Sequence, residues 1–393
     1  MKVCKIGVLL CAISVLLSGC WSTIELNDRT FVSGLFVDKS PVPGEVLLTI
    51  ATPLTNRMTS GAEAGGPSSS GNPYATVTKS GKTFPEAMQK IQDDLTRKLT
   101  WGQTRIIVMG REYAEQGTKE LFEWLIRQPQ FHLKTYIIVA PGKSTEITEL
   151  TPIYERTPTE VLREFVNLKV LMQTSVKNYL EAVIAGQDVA ASILTFGKVK
   201  AVSEKGKETP WAGTDGAALF SNGKLVGTLN MKETRMLLWL NKSHQSQIRT
   251  VELDGGKEKI SVTMRQLKRQ IRPQLSGNKI LFHITLTAEA DVLSAVSSKD
   301  LLDPKIVHKI EQKFADDIRS DALAMLKKTQ RLKSDILMLG SIVDWRYPRK
   351  WREIKDHWRD YYKENVDIQI QANIRISHFG SETVPFWQHE KMR

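Results

Sequence analysis

Apolar positions in this chain switch repeatedly between a period of two and a period near 3.6, laying out strands and helices in alternation. Residues 30–38 and 45–52 read as strands, joined by the turn-rich Ser40-Pro41-Val42-Pro43-Gly44. A third strand-like run covers 74–79. Thr83 and Glu86 then have capping-box spacing with Pro85 in the first turn, and Ala87, Met88, Ile91 and Leu95 form one buried helical stripe. Strand 105–109, helix 112–127 and the β-branched run 135–140 complete a first α+β unit.

A second unit opens with Thr157-Pro158-Thr159-Glu160, a capping box with proline at the first helical position. Val161, Leu162, Phe165 and Leu168 follow on one face. Ser175 caps another helix, with Val176, Tyr179, Leu180 and Val183 inward and Gly186 as its stop. Residues 192–202 are strand-like, and 217–220 and 224–228 flank Asn222-Gly223, the dipeptide of a type I′ hairpin. A short apolar helix spans 233–240.

In the third unit Ile260, Val262 and Met264 alternate, as do Ile280, Phe282, Ile284 and Leu286, around a turn at Ser276-Gly277-Asn278. Asp303-Pro304 starts a long helix striped by Val307, Ile310, Phe314, Ile318, Ala322 and Met325. A second helix runs from Pro348 to about Tyr362, and 366–378 alternates as a last strand. The expected fold is α+β with three domains, at 20–148, 149–245 and 246–393. Each is a mixed or antiparallel sheet with helices packed mainly on one face, and 59–73, rich in Gly, Ser and Pro, is a mobile loop. No repeat relates the three.

The first 19 residues stand apart. Lys2 and Lys5 precede an apolar run from Ile6 to Leu17, too short for a span of about 20 residues and shaped like a secretory signal peptide. Its ending, Leu17-Ser18-Gly19-Cys20, resembles a bacterial lipobox. The expectation is cleavage before Cys20 and a diacylglyceryl group, with or without an N-acyl chain, on that thiol. Two acyl chains give lasting membrane attachment. The alternatives are ordinary secretion after a cut near Gly19, or an uncleaved anchor.

Charge and cysteine content narrow the chemistry. Net charge is +12, spread along the chain and suited to anionic lipid or wall polymer; export argues against nucleic acid as a partner. Of three cysteines only Cys20 survives cleavage, which removes disulfides, Cys-based zinc sites and Cys nucleophiles. The seven histidines show no metal-ligand spacing, no Gly-x-Ser-x-Gly elbow occurs, and adjacent carboxylates such as Asp93-Asp94 diverge on a helix. No catalytic residue, metal or other cofactor is expected.

The densest feature is 345–363, with six aromatics against seven Lys/Arg and three Asp/Glu. On a helix begun at Pro348, the side chains of Trp351, Ile354, Trp358 and Tyr361 share a face. The favoured reading is a core helix whose tryptophans pack on the third sheet. The other makes Trp351, Trp358, Tyr361 and Arg352 a candidate interface with headgroups or a partner groove. The basic run 265–272 reads as a solvated strand face or a charge-protected edge.

Collinear short motifs run through the mature chain. They include Gly19-Cys20-Trp21, Glu25-Leu26-Asn27-Asp28-Arg29, and Val32-Ser33-Gly34-Leu35 with Asp38. Gly81-Lys82-Thr83-Phe84, the strand Gln103 to Gly110, and Trp211-x-Gly213 follow. Then come Asp335 with Gly340, and Tyr347-Pro348-x-x-Trp351-x-x-Ile354-Lys355-x-x-Trp358. Together they resemble the Ger(x)C family, the C-subunit lipoproteins of bacterial spore germinant receptors. One departure is local: where the family usually shows an Asp-x-x-Gly-Phe-Gly-like segment, 335–340 reads Asp-Ile-Leu-Met-Leu-Gly.

The resemblance implies a lipid-anchored, non-enzymatic subunit on the outer face of the spore inner membrane. It implies two multi-spanning partners, one with a large soluble domain and one transporter-like, in a nutrient receptor that triggers germination. A solute-binding lipoprotein of a transporter is the alternative, and three unlike units fit its two similar lobes poorly. A wall hydrolase is the third reading.

Overall fold

The computed structural model describes residues 25–54, 57, 72–170, 172–200, 206–243, 246–296, 301 and 303–379. The leader, Cys20 and nearly all of the loop expected at 59–73 lie outside the described residues.

The first unit contains β1 (Arg29–Phe31), β2 (Gly34–Lys39), β3 (Val46–Pro53), β4 (Tyr74–Gly81), α1 (Phe84–Asp93), β5 (Lys98–Thr100) and β6 (Ile106–Gly110). It continues through α2 (Arg111–Gln116), α3 (Lys119–Ile126) and β7 (Tyr136–Ala140). The Thr83 cap forms as its spacing predicts: the Glu86 amide donates to Thr83 Oγ1 at 3.3 Å. The single helix expected over 112–127 is instead α2 and α3, broken at Gly117 and Thr118. The break has a tertiary cause. The Thr118 amide and hydroxyl both donate to the Gly223 carbonyl, at 2.8 and 2.9 Å, and Thr118 Oγ1 lies 2.6 Å from the Tyr179 hydroxyl. Buried Asp38, at the end of β2, accepts from the Ser144 amide at 2.7 Å and the Ser144 hydroxyl at 2.8 Å, satisfying the start of the 3₁₀ turn Ser144–Glu149.

Next come α4 (Pro158–Asn167), α5 (Val176–Ile184), β8 (Val189–Lys200), β9 (Glu208–Ser221), β10 (Lys224–Leu229) and α6 (Met231–Leu240). The Thr157 and Ser175 caps are both made. Asn222 and Gly223 both take positive φ, 51° and 76°, as a type I′ turn requires.

Strands 2–4 and 6–10 form one sheet, in the order β10-β9-β8-β7-β6-β2-β3-β4. Its centre is parallel and its flanks antiparallel. The boundary expected at 148/149 therefore falls inside a continuous sheet, at its narrowest seam: β7 and β8 pair at only Ile138–Ser192 and Val139–Ile193. The period of two sorts the core. Leu35, Val37, Ile107, Met109, Ile137 and Val139 face α1, α2, α3 and α5, while Phe36, Ile106, Val108 and Ile138 face α4 and the 3₁₀ turn.

The last unit holds β11 (Ser246–Leu253), β12 (Glu258–Ser276), β13 (Lys279–Val296), α7 (Pro304–Arg331), α8 (Leu339–Arg346), α9 (Pro348–Ile354), α10 (Trp358–Glu364) and β14 (Val366–His378). Its four-stranded sheet is β11-β12-β13-β14, antiparallel except for the β13/β14 pair. The predicted stripe of α7 is buried at Ile310, Phe314, Ile318, Ala322 and Met325, and the larger of these side chains contribute about 1.5–3 kcal/mol each. Ala217, Leu219 and Leu229 of the first sheet and most of α6 belong to this same core, so the last unit is seated on the end of the large sheet. Beyond β11, strand β12 has β13 as its one partner among the described residues. The exposed side chains of Lys268, Gln270 and Arg272 there belong to the basic run, on a sheet edge whose carbonyls accept from Trp239 Nε1 (at Lys268) and the Tyr347 hydroxyl (at Pro273).

Candidate interaction site

Asp335, in the turn after α7, organises the segment that the sequence marks as its densest. Its carboxylate is buried and accepts three hydrogen bonds. Oδ1 takes the Leu339 amide at 2.8 Å; Oδ2 takes the Gly340 amide at 2.7 Å and Trp358 Nε1 at 2.9 Å. Burial pushes the carboxyl above the usual carboxylate range and outweighs the three donors; the nearby Asp188 charge adds to the rise.

Asp188 itself lies just before β8 and is only 3% exposed. One of its oxygens accepts from the Asp335 amide at 2.9 Å and the other pairs with Arg359 Nη2 at 2.9 Å. Arg359 Nε also donates to Ser221 Oγ at 2.9 Å, at the end of β9. One hydrogen-bonded chain thus runs from the large sheet through Asp188 and Arg359 to Asp335 and Trp358. It fixes the last unit's helices against the first sheet.

The aromatic positions follow from this anchor. Gly340, in the first turn of α8, sits so close to the indoles that a Cβ there would lie 2.8 Å from both Trp351 Cη2 and Trp358 Nε1. Trp351 and Trp358 meet edge to face at 5.3 Å, and Trp358 stacks on Tyr361 at 6.0 Å. The Tyr361 hydroxyl donates to the Asn278 carbonyl at 2.5 Å. The expected continuous helix from Pro348 is broken into α9, a 3₁₀ turn at Lys355–His357, and α10. The predicted shared face survives the break, with Ile354, Trp358 and Tyr361 buried on it.

Of the four residues singled out as a candidate interface, Trp351, Trp358 and Tyr361 come together. Arg352 is exposed on another face of α9. Trp358 and Tyr361 are enclosed by their own chain, and Trp351 is half-buried in the wall of a cleft of about 630 Å³. Asp188, Met338, Ser341 and Asp344 share that wall. Trp345, one turn beyond Ser341 on α8, is 86% exposed, and Met338 is 42% exposed. Large apolar side chains beside charged ones on a rigid framework suit docking.

Sequence reasoning missed Asp188 and Arg359. Asp188 carries a faint signal, a lone acid at the head of an apolar strand. Arg359 carries none, being one base among seven. The described residues hold no group of three or more His, Cys, Asp or Glu side chains placed to bind a metal.

Two family models account for most of the chain in sequence order. "Spore germination protein N-terminal domain" matches residues 22–195, and "Spore germination B3/ GerAC like, C-terminal" matches 215–380. The chain belongs to the GerAC-like spore germination family. Among relatives of this GerAC-like chain, spore germination protein KC of Bacillus subtilis (strain 168) is 23% identical over 403 residues, covering 97% of each chain. Spore germination protein B3 of the same strain is 24% identical, covering 93% of this chain and 95% of its own. The crystal structure of the GerBC protein superposes with a TM-score of 0.57 at 20% identity, over 88% of this chain and 98% of that one. That likeness bears on the fold. The GerAC-like motif residues also acquire physical roles: Asp38 caps a turn, Asp335 gathers three donors, and Gly340 makes room for two indoles.

Proposed function

We propose that this protein is the lipid-anchored, non-enzymatic C subunit of a nutrient germinant receptor. It is held by Cys20 on the outer face of the spore inner membrane. It assembles there with two multi-spanning subunits, one bearing a large soluble domain and one transporter-like, and so takes part in triggering germination. The observation that carries this reading is the collinear match of both family models, with relatives that are named spore germination proteins along nearly their whole length. The lipobox-like Leu17-Ser18-Gly19-Cys20 supports the anchor. The exposed Trp345 and half-buried Trp351 supply a docking surface fixed in place by the Asp335 network.

Spores lacking the gene test the reading when challenged with a nutrient panel and with a receptor-independent chemical trigger. Loss of the response to one nutrient set, with the chemical response intact, is expected. Normal responses from a strain lacking every related receptor as well would sink the proposal. Cys20→Ala is expected to abolish lipid labelling and release the protein from membranes. Trp345→Ser is expected to weaken co-purification with the two membrane subunits while leaving labelling unchanged.

A further inference from the structure

A second cleft, of about 460 Å³, lies where the last unit meets the end of the large sheet, away from the aromatic cluster. Its size is that of a small-ligand pocket. Its apolar lining includes Met172 from the segment before α5, Leu238 from α6 and Ile248 from β11, with Val170 and Met231 completing it. Ile248 is 61% exposed although it sits on a strand. Gln247, next to it in sequence, lines the cleft and is only 5% exposed, and among the described residues neither its amide nitrogen nor its amide oxygen has a hydrogen-bond partner.

An unpaired buried amide is costly, and such groups are nearly always satisfied in folded proteins. A glutamine amide offers donor and acceptor side by side, the complement of one peptide group. Lys169 and Arg235 also line the cleft, both exposed; among the described residues neither has an ion-pair partner and no acidic residue lines it.

We propose that this cleft binds a short acidic peptide. Both atoms of the Gln247 amide are enclosed, so that side chain would turn outward into the cleft to pair with the peptide's main-chain amide. The peptide's apolar side chain would lie among Met172, Leu238 and Ile248, and its carboxylates would meet Lys169 and Arg235. The three features converge on one chemistry, since an apolar body alone leaves Gln247 unpaired and an anion alone leaves the walls uncovered.

The test is calorimetric titration of the full chain, purified in detergent, with N-acetyl dipeptides at concentrations up to 10 mM. The first residue is leucine, methionine, phenylalanine or valine and the second is aspartate. Two controls accompany each peptide: one with its carboxylates amidated, and a depsipeptide with ester oxygen in place of the central N–H. At least one acidic peptide should bind, with each control tenfold or more weaker.

Gln247→Leu should lose the binding and raise the apo-protein Tm by about 2–4 °C, because it removes an unsatisfied buried amide. The paired surface change Lys169→Ala with Arg235→Ala should leave Tm unchanged and abolish the preference for the acidic peptide over its amidated form. Absence of heat from every peptide, or undiminished binding by Gln247→Leu, overturns the proposal.

Discussion

Replacing Asp335 separates the value of its hydrogen bonds from the cost of its charge. In Asp335→Ala three buried donors lose their acceptor: the Leu339 and Gly340 amides and Trp358 Nε1. Each orphaned donor costs about 1–3 kcal/mol, so the loss is at least about 3 kcal/mol, a large share of the 5–15 kcal/mol typical of a folded domain. Asp335→Asn behaves differently. Its single oxygen, turned toward the Oδ2 position, keeps the Gly340 and Trp358 bonds, and its NH₂ group faces the Leu339 amide. One donor is lost, and removal of the buried charge offsets part of that, leaving a net cost of about 1 kcal/mol.

Urea denaturation followed by tryptophan fluorescence measures both variants. The charge also sets a pH dependence. The native carboxyl titrates above its ordinary 3.8, so between that value and the native one the folded state holds the extra proton. Wild-type stability therefore falls as pH rises through this window, and the Asn variant lacks that component. Equal losses for Ala and Asn, or a loss below about 1 kcal/mol for Ala, would refute the view that one acceptor gathers these three donors.

Three further outcomes test the surrounding contacts. Gly340→Ala gains about 1 kcal/mol of helix propensity but drives a methyl against two indoles, so a net loss of about 1–2 kcal/mol and a shifted tryptophan emission are expected in the same titration. Arg359→Ala strands the buried Asp188 carboxylate. The guanidinium is one-third exposed, so the expected loss is about 2 kcal/mol, below that of a fully buried pair; Arg359→Lys should recover only part of it, lacking the fork that reaches Ser221 as well. Met338→Gly should raise the urea midpoint slightly, by the equivalent of about 1 kcal/mol or less, and a fall would show that the Met338 side chain holds the turn.

The elements most legible in the sequence are those whose causes are local. The Thr83, Thr157 and Ser175 caps, the Asn222-Gly223 hairpin, the α7 stripe and the alternation of β14 all depend on residues a few positions apart, and each forms where its pattern lies. What the pattern misses has distant causes. The break between α2 and α3 is imposed by a carbonyl 105 residues downstream of Thr118. The joining of β7 to β8 across an expected domain boundary rests on a two-pair ladder that has no signature along the chain. The same holds at the candidate site. Periodicity placed Trp351, Trp358 and Tyr361 on one face, but the network that ties Asp335 and Trp358 to the large sheet runs through the Asp188–Arg359 pair, whose members are 171 residues apart.

Met338 shows how a local departure and a tertiary constraint are reconciled. It occupies the fourth position of the 335–340 segment, where the family pattern has glycine, and it adopts φ 56° and ψ 40°, the left-handed conformation that glycine enters freely. For an L-residue that conformation costs about 1–2 kcal/mol. For the Leu339 and Gly340 amides both to reach Asp335 the chain must reverse there whatever residue stands at 338, and these two hydrogen bonds, with the Trp358 bond beside them, together contribute more than that strain. The turn is therefore set by the carboxylate, and the glycine of the family pattern is a means of forming it at lower cost.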